Sequence, residues 1–296
     1  MKPSIDQISI NPLQWVATAD GWIDPSSAPA LDTRMEFISS AGIRGLHTDV
    51  PDGLSVSDYA SMLEKHGLRA APGYISALLT DDAAEQAVRL DRAKTIAETH
   101  AELGIPVVFL AMGMAHGAPR VERPAVGFDF DADRLSATRD LIEEFAEIVS
   151  GFGVTPALHQ HVGTWIESDA ETRFVLDSVS PEVLAFGPDI GHLAWAGADP
   201  VALIRDYSER VVSLHIKDYH ESIAIESKAA ARTYRQTVQA GIWAEPGHGS
   251  NDISQILSAV PDDFAGWFVI EVDKGAQETP EESVRLCGEW ALQVTQ

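Results

Sequence analysis

Residues 155–161 read TPALHQH and residues 184–192 read LAFGPDIGH, and each is a short apolar run that ends in polar side chains. Runs of this kind recur along the chain and alternate with longer segments of helical period. The predicted strands lie at about 5–10, 43–47, 69–74, 107–112, 155–160, 184–189, 211–216 and 267–272. This regular alternation of strands and helices predicts an α/β fold, the (β/α)8 TIM barrel.

The remaining signals favour one domain of this kind. A doubly wound sheet would give the same alternation, but no glycine-rich nucleotide fingerprint follows the first strand. Helix starts are marked by Asp199 before Pro200 and by a predicted capping box that begins at Thr279. Because the chain has no Ser/Gly linker and no low-complexity stretch, residues 1–296 are predicted to form a single domain.

Two long segments interrupt the regular alternation. Residues 113–131 follow the fourth strand and are rich in glycine and proline, and a loop of this length predicts a cover over the substrate. Residues 219–245 form a second insertion, with a predicted helix that ends near Gly241.

Composition restricts the partners of the chain. Its 296 residues carry a formal charge of −24, which disfavours nucleic acid and anionic membrane surfaces because both attract Lys and Arg. The first residues contain no apolar core of a signal peptide, and no apolar run is long enough to cross a bilayer, so a cytoplasmic location is predicted. Cys287 is the single cysteine, which excludes an intramolecular disulfide and a cysteine-based zinc site.

Histidines mark one end of the predicted barrel. Eight of the ten lie at or near the carboxyl ends of predicted strands or on the loop before the eighth: His47, His116, His159, His161, His192, His215, His220 and His248. In a TIM barrel the active site lies at this end, so the chemistry is expected here.

Two acidic residues lie at the same level and complete a predicted metal site. Asp189 ends the sixth strand and Glu271 the eighth, where a carboxylate is costly to bury unless it is paired or binds a metal. The predicted ligands come from four successive strands: His159, Asp189, His215 and Glu271. Imidazole and carboxylate together suit Mn²⁺, Fe²⁺, Co²⁺ or Zn²⁺ better than Ca²⁺. A hydrogen-bonded polar cluster without metal is the alternative.

Other side chains at this rim are candidates for substrate contacts. Lys217 lies two residues after His215 and therefore points to the same side of the strand, where it could meet a substrate oxygen. The alternative is a salt bridge with Asp218 or another carboxylate. Five aromatic residues lie near strand ends, where a ring can stack on a sugar: Trp15, Tyr74, Trp165, Trp195 and Trp243.

The motifs that hold these residues resemble those of a known family. They are INPLQW (10–15), GIRGLHTDVP (42–51), EKHGLRAAPGYIS (64–76), LHQHVGTWIES (158–168), DIGHLAWAGADP (189–200), LHIKD (214–218), EPGHGSNDI (245–253) and GWFVIEV (266–272). In this order they are similar to the sugar isomerase and epimerase superfamily with xylose-isomerase-like TIM barrels, and within it to myo-inosose dehydratases.

The resemblance implies a metal that is bound by groups from strands five to eight. Mn²⁺ is the ion expected, and Co²⁺, Fe²⁺, Zn²⁺ and Mg²⁺ are the alternatives. Asp189, His215 and Glu271 match the family's ligand pattern, whereas His159 stands where isomerases and epimerases usually have a glutamate. His161 or Glu167 could take that corner instead of His159.

A lyase mechanism at this site would give the residues nearby the following roles. Glu271 is expected to act as ligand and base, His161 or His192 as the acid, and Lys217 as the group that stabilises an enediolate oxygen. His47 and His248 replace acidic residues common in the family, and with Trp15 and Trp165 they are expected to contact the substrate.

The expected activity is a metal-dependent lyase that removes water from a cyclic polyol or keto-sugar such as an inosose. Loss of the family's glutamate leaves fewer carboxylate bases than an epimerase uses, which favours β-elimination. The alternatives are a sugar isomerase or epimerase, and a relative that cleaves C-glycosides of keto-sugars with a small partner subunit. A non-catalytic sugar binder is a further alternative, and homo-oligomers fit any of these.

Overall fold

A computed structural model describes residues 2–296, in which strands and helices alternate along the chain. The strands are β1 (Ile8–Asn11), β2 (Gly45–His47), β3 (Arg69–Ala71), β4 (Tyr74–Ala77), β5 (Val107–Met112), β6 (Thr155–Leu158), β7 (Ala185–Phe186), β8 (Ser213–Ile216), β9 (Asp218–Tyr219), β10 (Trp243–Ala244) and β11 (Trp267–Glu271). The helices are α1 (Leu31–Ser40), α2 (Val56–Lys65), α3 (Ala83–Glu102), α4 (Pro119–Glu122), α5 (Ala132–Ser150), α6 (Asp169–Ser178), α7 (Ile190–Ala196), α8 (Pro200–Asp206), α9 (Glu221–Ala229), α10 (Tyr234–Gln239), α11 (Ile253–Ala259) and α12 (Pro280–Thr295). Short 3-10 helices lie at Ile5–Gln7, Leu13–Trp15, Pro25–Ser27 and Ser208–Arg210.

The parallel strands close into a ring. Hydrogen bonds give the orders β3-β2-β1-β11-β8 and β4-β5-β6-β7. On one side, β3 and β4 are consecutive parts of one strand, separated by Pro72 and Gly73. On the other side, parallel bridges from Phe186 to Val211 and from Asp189 to His215 join β7 to β8. Eight barrel positions result, and the predicted TIM barrel is confirmed.

Some strand limits differ from the prediction for local reasons. The first strand begins at Ile8 instead of residue 5, because the Ser4 side chain caps a 3-10 helix at Ile5–Gln7. The third strand is interrupted at Gly73, whose N–H donates to His100 Nε2 at 2.8 Å. A Cβ at Gly73 would lie 2.4 Å from the Thr48 carbonyl oxygen, so this close approach requires glycine.

The predicted helix starts are present, with one correction. Asp199 caps α8, with Pro200 at its first position. Thr279 accepts a hydrogen bond from the Glu282 N–H at the start of α12. The reciprocal half of the predicted capping box is not formed there, because the Glu282 carboxylate pairs with Arg285 at 2.7 Å.

The insertion at 219–245 contains more structure than the predicted helix. It holds α9 and α10, and its ends form an antiparallel pair, with Trp243 opposite Tyr219 and Ala244 opposite Asp218. Each of these strands has two residues, which is too short for an alternating pattern to reveal.

Among the described residues, two of the three hydrophobic clusters account for most of the interior, and the third is a small group of Val107, Ala157 and Ala185. The larger cluster fills the barrel and the space between strands and helices. The second cluster packs aromatic and aliphatic side chains from the loops after several strands: Val121, Ala125, Val162, Trp195, Tyr219, Ala224, Tyr234, Val238, Ile242 and Trp243. Within residues 2–296, no helix is both long and apolar enough to cross a membrane.

Candidate metal centre and active site

The backbone at the carboxyl ends of three neighbouring strands positions a buried triad. His159 directly follows β6, and its N–H donates to the Leu110 carbonyl at 2.8 Å. Asp189 follows β7 and caps α7, because its Oδ1 accepts the His192 N–H at 2.9 Å. His215 lies inside β8, opposite Asp189 in the bridge that closes the barrel.

The side chains of this triad converge without bonding to one another. One donor atom from each of His159, Asp189 and His215 lies within 4.8 Å of the others. Asp189 Oδ2 is 3.9 Å from His159 Nε2 and 3.8 Å from His215 Nδ1, distances too long for hydrogen bonds. All three residues are at most 1% exposed.

The unpaired atoms of the triad fit a divalent metal. Both ring nitrogens of His159 and His215, and Oδ2 of Asp189, find no hydrogen-bond partner among the described residues. Leaving a buried polar atom unsatisfied costs about 1–3 kcal/mol, and one ligand atom from each of the three residues is close enough to the others to share a common partner. Two imidazoles and a carboxylate are ligands that Zn²⁺, Mn²⁺, Fe²⁺ and Co²⁺ accept, and this cluster could hold such an ion.

Glu271, the fourth predicted ligand, lies beside the triad and is held by other groups. Its Oε2 accepts from Asn11 Nδ2 at 2.6 Å and lies 3.3 Å from His215 Nδ1. Its Oε1 accepts from Lys217 Nζ at 2.7 Å. Glu271 therefore presents one oxygen to the triad and one to the lysine, and the four-residue ligand set stays a prediction.

Lys217 is the central cation of the site. It is fully buried, and its Nζ lies 2.7 Å from Glu271 Oε1, 2.8 Å from Asp273 Oδ1 and 3.8 Å from Asp189 Oδ2. Burial alone would lower the pKa of Lys217, but the three carboxylates outweigh burial and raise the pKa well above its usual range. The ammonium therefore stays charged.

The pKa values of two acidic groups beside Lys217 are shifted in opposite directions. Burial would raise the pKa of Glu271, but the charges of Lys217 and His215 hold it well below its usual range. Burial raises the pKa of Asp273 to about 6, despite the opposing charge of Lys217. Glu271 is therefore an ionised carboxylate at neutral pH, and three carboxyl groups face one lysine.

The two histidines predicted as acids lie against each other beside this cluster. The ring centroids of His161 and His192 lie 3.7 Å apart. Burial lowers the pKa of His161 to about 4 and that of His192 well below its usual range, and the charge of Lys217 adds to both effects. His192 Nε2 lies 3.2 Å from Lys217 Nζ. Both imidazoles are neutral at pH 7, so either would donate a proton only as a weak acid, and the assignment stays a prediction.

His47 is another predicted residue that the barrel brings to the triad. It is 8% exposed, and burial lowers its pKa to about 3. The charge of His215 lowers this pKa further, and the charge of Glu271 opposes both effects. The rings of Tyr74 and Phe109 line the same space, with centroids 5.3 Å and 5.6 Å from that of His159.

Three predicted substrate contacts are engaged elsewhere. The indole N–H of Trp15 donates to Glu281 Oε1 at 2.9 Å, in the α12 region. Trp165 lies under the guanidinium groups of Arg120 and Arg134, at 5.5 and 3.9 Å from its ring centroid. His248 is exposed on the glycine-rich turn. Their contacts with substrate stay a prediction.

Glu167, an alternative for the strand-five ligand, organises a loop instead. Its carboxylate accepts the N–H groups of Gly163, Ala125 and Gly127 at 2.9 to 3.0 Å and pairs with Arg120 at 3.0 Å. Ala125 and Gly127 lie in the 113–131 loop, so Glu167 ties that loop to the segment after β6. Among the candidates after the fifth barrel strand, β6, His159 is the residue whose side chain belongs to the triad.

Three residues of the site were not predicted from the sequence. Asp273 could have been found, because it lies two residues after Glu271 and so shares its side of the chain, as Lys217 does with His215. Asn11 has a similar signal, since it ends β1 at the same level. Tyr234 belongs to the 219–245 insertion, where no strand pattern connects it with the barrel mouth.

Comparison with known proteins places this geometry in a family. A family described as "Xylose isomerase-like TIM barrel" matches residues 35–289. The rhizopine catabolism protein MocC of Rhizobium meliloti is 28% identical over 277 residues, which span 90% of this chain and 82% of that protein. An inosose dehydratase of Bacillus cereus (strain AH820) is 22% identical over 280 residues, which span 92% of this chain and 91% of the relative.

Among solved structures, the IolI protein with a bound zinc atom has the same fold. It superposes with a TM-score of 0.71 at 15% sequence identity, and the match covers 100% of this chain and 98% of that one. At this identity the likeness establishes the barrel fold alone.

Proposed function

The chain belongs to the xylose isomerase-like TIM barrel family, and from that membership we propose that it is a metal-dependent lyase which removes water from an uncharged cyclic polyol ketone such as an inosose. The observation that carries the proposal is the buried triad of His159, Asp189 and His215, with unpaired ligand atoms beside an ionised glutamate and a buried lysine. The names of relatives, among them inosose dehydratases, support this substrate class.

In this proposal the triad, with Glu271, holds one divalent ion, and Mn²⁺ is the ion expected. The bound metal would polarise the substrate carbonyl and lower the pKa of the neighbouring C–H. The IolI structure, which has the same fold, contains a zinc atom, and this supports a bound metal in the present barrel.

The side chains around the triad supply the proton transfers and the charge stabilisation. Glu271 is ionised and positioned by Asn11 and Lys217, so it can accept the proton from the carbon next to the carbonyl. The Lys217 ammonium, 2.7 Å from Glu271, stabilises the negative charge that develops on the adjacent oxygen. His161 or His192 assists departure of the β-hydroxyl as water.

The charges of the site favour an uncharged substrate. Asp189, Glu271 and Asp273 surround Lys217, and each is at most 5% exposed. A phosphate or carboxylate on the substrate would need a cation beyond Lys217 and the metal, because the three acids already balance the charges of both. A neutral polyol ketone requires only hydrogen bonds.

The test is incubation of Mn²⁺-loaded protein with inosose and a panel of keto-sugars in deuterated water, followed by mass spectrometry. The proposal predicts loss of one water molecule from the inosose. Incorporation of deuterium without loss of water would instead indicate an isomerase or epimerase. A matched Asp177→Asn variant, changed on the outer helix α6, should behave as the parent, whereas Asp189→Asn should be inactive.

A further inference from the structure

The 219–245 insertion brings a phenol to the mouth of the barrel. Tyr234 is the first residue of α10, and the capping box of Thr233 and Gln236 fixes the start of that helix. The Tyr234 ring lies 5.2 Å from the Trp195 ring and 6.2 Å from the His161 ring, measured between centroids. Its position therefore depends on the insertion, while its neighbours belong to the loops after β6 and β7.

The hydroxyl of Tyr234 has no protein partner although it is buried. The residue is 1% exposed, and its Oη finds no hydrogen-bond partner among residues 2–296. A phenylalanine would make the same ring contacts without an unsatisfied polar atom. A buried hydroxyl without a partner costs about 1–3 kcal/mol, so its presence indicates a group that binds to it.

Ring contacts place this phenol beside the groups around the triad. The His161 ring, whose centroid is 6.2 Å from that of Tyr234, lies 3.7 Å from the His192 ring, and His192 Nε2 is 3.2 Å from Lys217 Nζ. Burial raises the pKa of Tyr234 well above its usual range, so the phenol stays protonated and can both donate and accept a hydrogen bond.

We propose that Tyr234 is a specificity-determining residue which hydrogen-bonds a ring hydroxyl of the substrate, away from the carbonyl that the metal would polarise. This inference rests on the proposed function and extends it to the polyol ring. The ring centroids of Trp195 and Trp243 lie 5.4 Å apart, and those of Tyr234 and His192 lie 5.2 and 6.2 Å from Trp195. The two indoles form the apolar wall against which the C–H face of the substrate ring packs. The insertion thereby selects ketones that carry further hydroxyl groups.

The experiment compares two ligands that share a vicinal diol and differ in the remaining hydroxyls. Calorimetry measures the dissociation constants of myo-inositol and of cis-cyclohexane-1,2-diol with Mn²⁺-loaded parent, Tyr234→Phe and Tyr207→Phe proteins. Tyr207 is the matched control, because it lies outside the site and its hydroxyl donates a hydrogen bond of 2.8 Å to Asp177. A thermal melt of each variant establishes that it is folded.

The expected result is selective. Tyr234→Phe should raise the dissociation constant of myo-inositol about tenfold and leave that of the diol unchanged, while Tyr207→Phe changes neither. Equal effects on both ligands, or none, would overturn the inference and leave the hydroxyl a site for bound water only.

Together with the water-loss assay on inosose, this experiment separates the inference from the proposed function. If the parent removes water from inosose but Tyr234→Phe binds myo-inositol normally, the inference fails and the lyase proposal stands. If the parent removes no water but Tyr234→Phe selectively weakens myo-inositol binding, the lyase proposal fails and the polyol contact stands. If the parent binds neither ligand, the polyol contact is overturned.

Discussion

Replacing Arg120 by methionine should open the 113–131 loop. The Arg120 side chain is 2% exposed and bonds Glu171 at 2.6 and 3.2 Å and Glu167 at 3.0 Å. Methionine fills most of the volume but leaves two buried carboxylates without their cation. Removing one partner of a buried ion pair costs about 3–5 kcal/mol. The free energy of unfolding of a domain is about 5–15 kcal/mol, so a loss of this size should be easy to measure. It should appear either as a lower free energy of global unfolding or as local opening of the loop.

Urea unfolding and chymotrypsin cleavage at Phe128, which is 42% exposed on the loop, distinguish these two outcomes. The matched control is Arg134→Met, because Arg134 also stacks on Trp165 but its ion pair with Asp129 is partly exposed to solvent. The control should lose less than about 1 kcal/mol. If Arg120→Met were as stable and as resistant to cleavage as the control, the buried network would not be what holds the loop.

Two further predictions concern buried groups. Burial lowers the pKa of His100 to about 4, below the unfolded value of 6.5, so its stabilising effect is present above pH 6.5 and is lost as the pH falls towards 4. His100→Gln should therefore reduce the loss of unfolding free energy between pH 7 and pH 4 by about 3 kcal/mol, measured in urea; an unchanged pH slope would refute this. Lys217→Met should lower kcat at least about a hundredfold, because it leaves the buried carboxylates of Glu271 and Asp273 without their cation. Lys274→Met, at an exposed position, is the control and should leave kcat unchanged. Steady-state kinetics on inosose measure both variants, and equal rates would contradict the prediction.

The sequence was sufficient for the barrel and for the convergence of the triad. Strands buried on both sides are apolar runs that end in polar residues, and a closed parallel barrel brings all those ends to one mouth. His159, Asp189 and His215 therefore had to lie near one another once the strands were placed.

The sequence could not decide between residues that lie close together in the chain. His159 and Glu167 both follow the fifth strand, and only the fold shows that Arg120 and three backbone N–H groups bind the glutamate. Tyr234 shows the same limit, because its place at the mouth depends on how the insertion folds back through β10. Protonation states were also beyond a pattern, since burial and Lys217 keep His161 and His192 neutral.

Titration of metal-free protein with Mn²⁺ tests most directly the claim that the buried triad is a metal site. The parent and the Asp177→Asn control should each bind one ion per chain at a site that Asp189→Asn lacks, because Asp189 supplies the only carboxylate of the triad. Equal binding by the Asp189→Asn variant, or no binding by the parent, would contradict it.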